Sequence, residues 1–504
     1  MSQASDTAGS PSIGRQHVKR SRLVIALAAP LTALACVAAG STAGAAPTLS
    51  TASSGASGVS TADEATPSPL RLTAPRLVEG YLSGTRVELD PSLRLVAQGA
   101  PFEIRSKRTA YGAPIVTTWH HGSEVVTLPR RTVTDFAGLP GFLRMDFRKG
   151  GELVTTRYRS GCLNSWSTER AHPDAPLRSP YPQSCSTSRI MLGSVMGIQE
   201  GYATRLDSWM RLKLAPGRYQ VTVAVTAKYR TLFGIPASDG VKTFTLRVSK
   251  DAPDYDDHER RTVTASLRPG TTEPTRAAAG APGEPQPDLR SIPAFGIRVD
   301  GSGNYLQFSA NVWNAGNSPL VVDGFRRPNE DIMDAYQYFL DADGNQVGYR
   351  LVGTMAWDNK DTHQHWHFRD FARYRLLDAH KVGVVRSRKE AFCLANTDAI
   401  DYTVDGADWQ PDTTDLHTAC GERDSLSIRE VLASGSGDTY AQFRAGQSFS
   451  LKGLPNGVYY IAVEANPVHN LVESDTTNNV AYRKVLIGGR LGARTVKVYP
   501  MNVD

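Results

Sequence analysis

The stretch DTHQHWHF, residues 361–368, places His363, His365 and His367 at alternate positions in a chain that holds only 11 histidines. Imidazole is a ligand suited to zinc, copper, nickel and iron, and an all-histidine set does not choose among them. On an extended strand the three rings project from one face, with Gln364 and Trp366 on the other. Their outer Cα atoms then lie roughly 13 Å apart at about 3.3 Å per residue. Metal–nitrogen bonds are only about 2.0 Å long, so three-fold convergence on one ion demands a curled or bulged strand. The competing reading is a polar sheet face or a pH-sensitive patch without metal. The other histidine cluster, WHH at 119–121, puts His120 and His121 on opposite faces of any strand, which is a structural arrangement.

The elements that must position these residues read as β. Segments such as GRYQVTVAVTAKY (217–229), TFTLRVS (243–249), NYLQFSANVWNAGNSPLVV (304–322) and NGVYYIAVEANP (456–467) alternate apolar and polar residues between turn residues. Helical periodicity is scarce. A chain of 504 residues exceeds one core. Ser/Thr/Ala-rich sequence at 46–74 reads as a disordered stalk, and Pro/Gly/Ala-rich sequence at 251–287 as a linker. The expectation is all-β, with two β-sandwich-like domains at 75–250 and 288–504.

Residues 1–45 run from basic through apolar to small side chains, the order of a secretory signal peptide with a cleavage site before Ala46. That predicts a secreted, extracellular or cell-wall-associated protein, touching membrane only during export. Cys36 leaves with the signal. Four cysteines remain, Cys162, Cys185, Cys393 and Cys420, an even number that suggests two disulfides. Proximity favours Cys162–Cys185 and Cys393–Cys420, although three connectivities are formally open. Net charge is only +6, with no dense Lys/Arg run interleaved with aromatics, so no nucleic-acid partner is expected.

From the histidines onward the chain resembles the catalytic domain of the lysyl oxidase family. The resemblance rests on THQHWH (362–367), FARYRLLD (371–378), SRKEAFCL (387–394), GDTYAQF (437–443), LPNGVYYIAVEANP (454–467) and VESDTTNN (472–479), in the family's order, within about 285–490. It implies copper held by His363, His365 and His367, and a lysine tyrosylquinone formed from Lys389 and Tyr440. It further implies oxidative deamination of primary amines, above all peptidyl lysine in extracellular proteins, by dioxygen to aldehyde, hydrogen peroxide and ammonia. Two departures stand out: Thr362 replaces the family's cysteine, and Arg373 replaces a supporting histidine.

Such chemistry needs a base for the α-proton. Asp438, two residues before Tyr440, shares its face on a strand, though it could equally stabilise the GSGD turn. His417 and His469 are further candidates. Small primary amines are an alternative substrate. A non-catalytic, metal-binding β-sandwich protein of the cell surface, in a structural or adhesive role, is the alternative function. A zinc hydrolase is disfavoured because H-E-x-x-H is absent. The carboxylates of ESDTTNN belong to a loop between strands that could hold calcium.

Overall fold

The computed structural model describes residues 68–206, 208–250, 285–358, 365–387, 391–413, 416, 418–444 and 446–502. Among them, strands dominate and the only helices are Ala227–Phe233 and Ala237–Gly240, in line with the all-β expectation. No helix among them is long and apolar enough to cross a membrane. The signal peptide, most of the stalk and residues 251–284 of the linker lie outside the described residues. The first strand, Leu70–Thr73, falls inside the stretch read as stalk. Its LRLT alternation buries Leu70 and Leu72 completely, and this short period-two pattern was hidden by the polar residues before it.

Residues 70–249 form two four-stranded sheets and one of seven strands. The seven-stranded sheet runs Met210–Leu212, Arg86–Leu89, Leu77–Ser83, Val241–Ser249, Gly217–Val225, Leu139–Lys149, Glu152–Gly161. Val241–Ser249, its middle strand, is parallel to Leu77–Ser83 and antiparallel to Gly217–Val225. The alternation in Gly217–Val225 buries Tyr219, Val221, Val223 and Val225 and leaves Arg218 and Gln220 in solvent. Cys162 is joined to Cys185.

Residues 289–498 form three further sheets. In the first, Tyr305–Asn314 pairs with the tyrosine-bearing strand Ser436–Tyr440, which pairs in turn with Asp398–Ala399. The second runs Ala391–Phe392, His365–Arg369, Gln346–Asp358, Ile332–Leu340, Leu320–Arg326, Ser427–Leu432. Irregular register between Gln346–Asp358 and Ile332–Leu340, and Gly353 at φ 146°, bend this sheet. Its two edges meet: Trp366 N–H donates to Cys420 O at 3.1 Å, while Ala419 bridges to Arg429. The third sheet centres on Gly457–Ala465, between Ala372–Leu377 and Val480–Arg490. Phe308, Trp366, Phe368, Phe392 and Phe449 are fully buried between these sheets, and such side chains contribute about 1.5–3 kcal/mol each.

Two large apolar clusters draw separately on residues 70–248 and 289–498. A small third cluster draws on both, with Ile190 packed among Ile292, Trp313 and Ile400. Alongside it Leu192 N–H donates to Ile400 O at 2.6 Å and Tyr402 N–H to Gly193 O at 3.2 Å. Gly193 bridges in parallel to Asp401, where an added Cβ would lie 2.0 Å from the Asp401 carboxylate. The close approach therefore requires glycine.

Candidate functional site

His365 and His367 leave the same face of the strand His365–Arg369, and Trp366 enters the core on the other. The His365 and His367 Nε2 atoms lie 2.9 Å apart, with ring centroids at 4.6 Å. Two nitrogens each about 2.0 Å from a shared ion would be separated by about that much. His367 is 4% exposed, and its Nδ1 lies 3.7 Å from Asp358 Oδ2. Asp358 stands opposite His365 in register. A carboxylate behind a ligating imidazole fixes the ring so that its other nitrogen offers a lone pair. His363 lies outside the described residues, and within them no group of three His, Cys, Asp or Glu side chains is gathered for a metal. The described pair therefore fits two-thirds of the proposed donor set.

Tyr440 ends the strand Ser436–Tyr440 and is held on two sides by the FCL end of the SRKEAFCL segment. Phe392 meets its ring edge-on at 4.6 Å, and the phenol donates to Cys393 O at 3.0 Å. Phe392 itself stands opposite Phe368, one residue after His367. The tyrosine and the histidine pair are thus tied to the same short strand, Ala391–Phe392, and Cys393 is fixed to Cys420 by the second disulfide. Lys389, three residues earlier, lies outside the described residues, as does His417.

Asp438 sits in the strand, 4% exposed and opposite Val312, not in a turn. Sequence inspection missed Glu430. This glutamate, on Ser427–Leu432, is completely buried between Ile428 and Leu432 on an inward face. A charged residue at the middle of an i, i+2, i+4 apolar row was the available signal. Glu430 Oε2 accepts the Leu394 N–H at 3.0 Å. That N–H and the Cys393 carbonyl belong to one peptide group, so Tyr440 and Glu430 grip opposite edges of the same amide plane.

Burial pushes the Glu430 carboxyl well above its ordinary pKa, and the nearby Asp438 charge adds to this against the pull of the Leu394 and Phe368 N–H groups. Burial also drives the Tyr440 phenol far up, reinforced by Asp438, Glu430 and Tyr374 and opposed by the Cys393 carbonyl hydrogen bond. The pocket thus holds Tyr440 as a neutral phenol and can store a proton on a carboxyl beside it.

Other candidates are placed elsewhere. His469 is exposed, in left-handed backbone at φ 52° in the turn after Gly457–Ala465. Arg373 lies near Glu464, at 3.9 Å, with Arg375 at 3.1 Å from the same carboxylate. The acidic loop is spent on internal bonds: Glu473 accepts from Asn466, Asn479 and Leu289, and Asp475 from Thr477 and Asn478. His120 bonds Thr118, and His121 stacks on Trp119.

Residues 344–494 match the sequence model of the lysyl oxidase family. The chain is 31% identical over 143 residues to human lysyl oxidase homolog 1, covering 28% of this chain and 22% of that protein. It is 32% identical over 127 residues to human protein-lysine 6-oxidase, 25% of this chain and 27% of that one. With pig protein-lysine 6-oxidase the identity is 31% over 127 residues, 25% of this chain and 45% of the relative. The similarity therefore spans about a quarter of the human relatives' length, and the family-model match over 344–494 includes the histidine strand, Tyr440 and Glu430.

Proposed function

We propose that the protein is an exported amine oxidase that converts primary amines, with peptidyl lysine foremost, to aldehydes. The observation that carries this reading is Tyr440, clamped by Cys393 O and by Phe392, whose own strand pairs with the one that bears the converging imidazoles. A structural metal site needs no such tyrosine. His363, His365 and His367 would hold copper, which with dioxygen supplies the oxidation that makes Tyr440, joined to Lys389, a two-electron acceptor for the substrate amine. The net reaction takes amine, dioxygen and water to aldehyde, ammonia and hydrogen peroxide.

The residues in hand define what the protein contributes. Chain connectivity keeps Lys389 within about 11 Å of Phe392, whose ring touches Tyr440. Glu430 receives and returns the proton taken from the substrate's α-carbon, a role suited to a carboxyl whose pKa burial raises, with Asp438 buried close by. Trp366 and Phe368, fully buried, keep water from the back of the histidine strand.

Peptide mass mapping of copper-loaded, aerated protein tests the proposal. The expected result is a Lys389–Tyr440 cross-link, with peroxide released when a lysine peptide is added. If both residues remain unmodified in fully loaded protein, the oxidase reading fails and a metal-binding surface protein replaces it.

A further inference from the structure

The seven-stranded sheet presents an arginine-rich outer face, on which some arginines are ion-paired and others, among them Arg86 and three that share a groove, are not, among the described residues. Arg144 lies 3.0 Å from Asp146, Arg247 3.3 Å from Glu79, and Arg211 is bound to Glu88. Each of these has a carboxylate on the same sheet. Arg76, Arg148 and Arg218 have none within ion-pair distance among the described residues, and these three line one groove of about 500 Å³. None of the ten residues lining it is acidic.

The register explains how the groove is built. Arg148, Gln220 and Thr245 lie side by side on neighbouring strands, and Leu77, next to Arg76, continues the row. Three strand spacings carry the row across roughly 14 Å. Arg218 stands directly opposite Arg247, a like-charge pair that costs stability in a sheet. Arg148 makes a 3.2 Å bond to Gly151 O, which leaves most of its guanidinium free to face solvent. Arg148 serves the fold through Gly151 O and the nearby Asp146 charge, whereas Arg76 and Arg218 have no carboxylate within ion-pair distance among the described residues, which leaves the groove open to an anion.

We propose that this groove binds a linear phosphate polymer. The planar guanidinium fork matches phosphate oxygens two at a time, and the threonine hydroxyls and Gln220 amide add neutral donors. An exposed, solvent-screened contact contributes little singly, so a chain of repeated charges suits the row better than one small anion. Single-stranded nucleic acid fits less well. The aromatic residues in the lining, Tyr219 and Phe244, are 3% and 2% exposed and offer bases no face to stack on.

The test uses the full chain and labelled inorganic polyphosphate, with affinity read by fluorescence anisotropy over a range of salt. Replacing Arg148→Gln and Arg218→Gln together is expected to weaken binding about tenfold or more and to reduce the salt slope by about two. Arg148→Lys with Arg218→Lys should keep most of that slope. Arg144→Gln with Arg211→Gln, which removes paired arginines, should change affinity by less than about threefold. Equal binding by the groove double variant, or an equal loss in the paired-arginine control, overturns the site. Tighter binding of polyglutamate or of an oligonucleotide of equal charge overturns the choice of partner. Because the readout is binding, its failure is independent of amine oxidation.

Discussion

Glu430 is the residue on which stability and the proposed chemistry pull in opposite directions. Its folded pKa is raised, so its favourable contribution is complete below the ordinary glutamate value of about 4.3 and is lost as pH rises through the folded value. Glu430→Gln removes that dependence and keeps an acceptor for Leu394. The unfolding free energy of the variant should therefore gain on the parent's as pH rises from about 4.5, by up to about 1.4 kcal/mol per pH unit, read from denaturant melts across pH. Amine oxidation should fall at the same time; unchanged turnover would remove Glu430 from the proton path. The histidines and Tyr440 were legible because their spacing and neighbours form motifs. Glu430 was not, because its role depends on a peptide group 36 residues away in sequence, Cys393–Leu394 to Glu430.

At the level of elements, the position of the Glu430 strand depends on its neighbour. Asp323, fully buried on Leu320–Arg326, accepts two bonds of 2.7 Å from Arg429. The pair faces away from Glu430 and fixes Ser427–Leu432 at the edge of its sheet. Asp323→Ala leaves a guanidinium without its partner carboxylate and should cost about 3–5 kcal/mol in denaturant unfolding. A loss below about 1 kcal/mol would show that the ladder alone sets the strand. Alternation revealed most of these strands, because period two survives wherever one face is buried. It could not reveal the bending that brings the second sheet's edges together, since that comes from register irregularities and Gly353, which carry no periodic signal. Nor could it place Leu70–Thr73, too short to stand out from the polar run before it.

For the whole molecule, the sequence suggested two regions and gave no hint of how they touch. The contact includes residues 190–193 against 400–402, the Tyr181–Trp409 stack, the Gln410 bonds to Ser179 and Tyr181 and the Lys107–Asp401 pair, segments with no common pattern. Gly193→Val should push Asp401 away and separate the two clusters energetically, so that calorimetry resolves two transitions where the parent shows one. A single transition at an unchanged midpoint would mean that the contact transmits nothing. A different consequence follows from the middle strand of the seven-stranded sheet. Val241–Ser249 sits between Leu77–Ser83 and Gly217–Val225, yet it is made last. At about 5–20 residues per second, the ribosome needs roughly 9–35 s to go from the first of these strands to the end of the last. Throughout that interval the two halves of the sheet present open edges to whatever else is in the compartment. Assembly of this region is timed by its final strand, which closes the edges the earlier strands leave open.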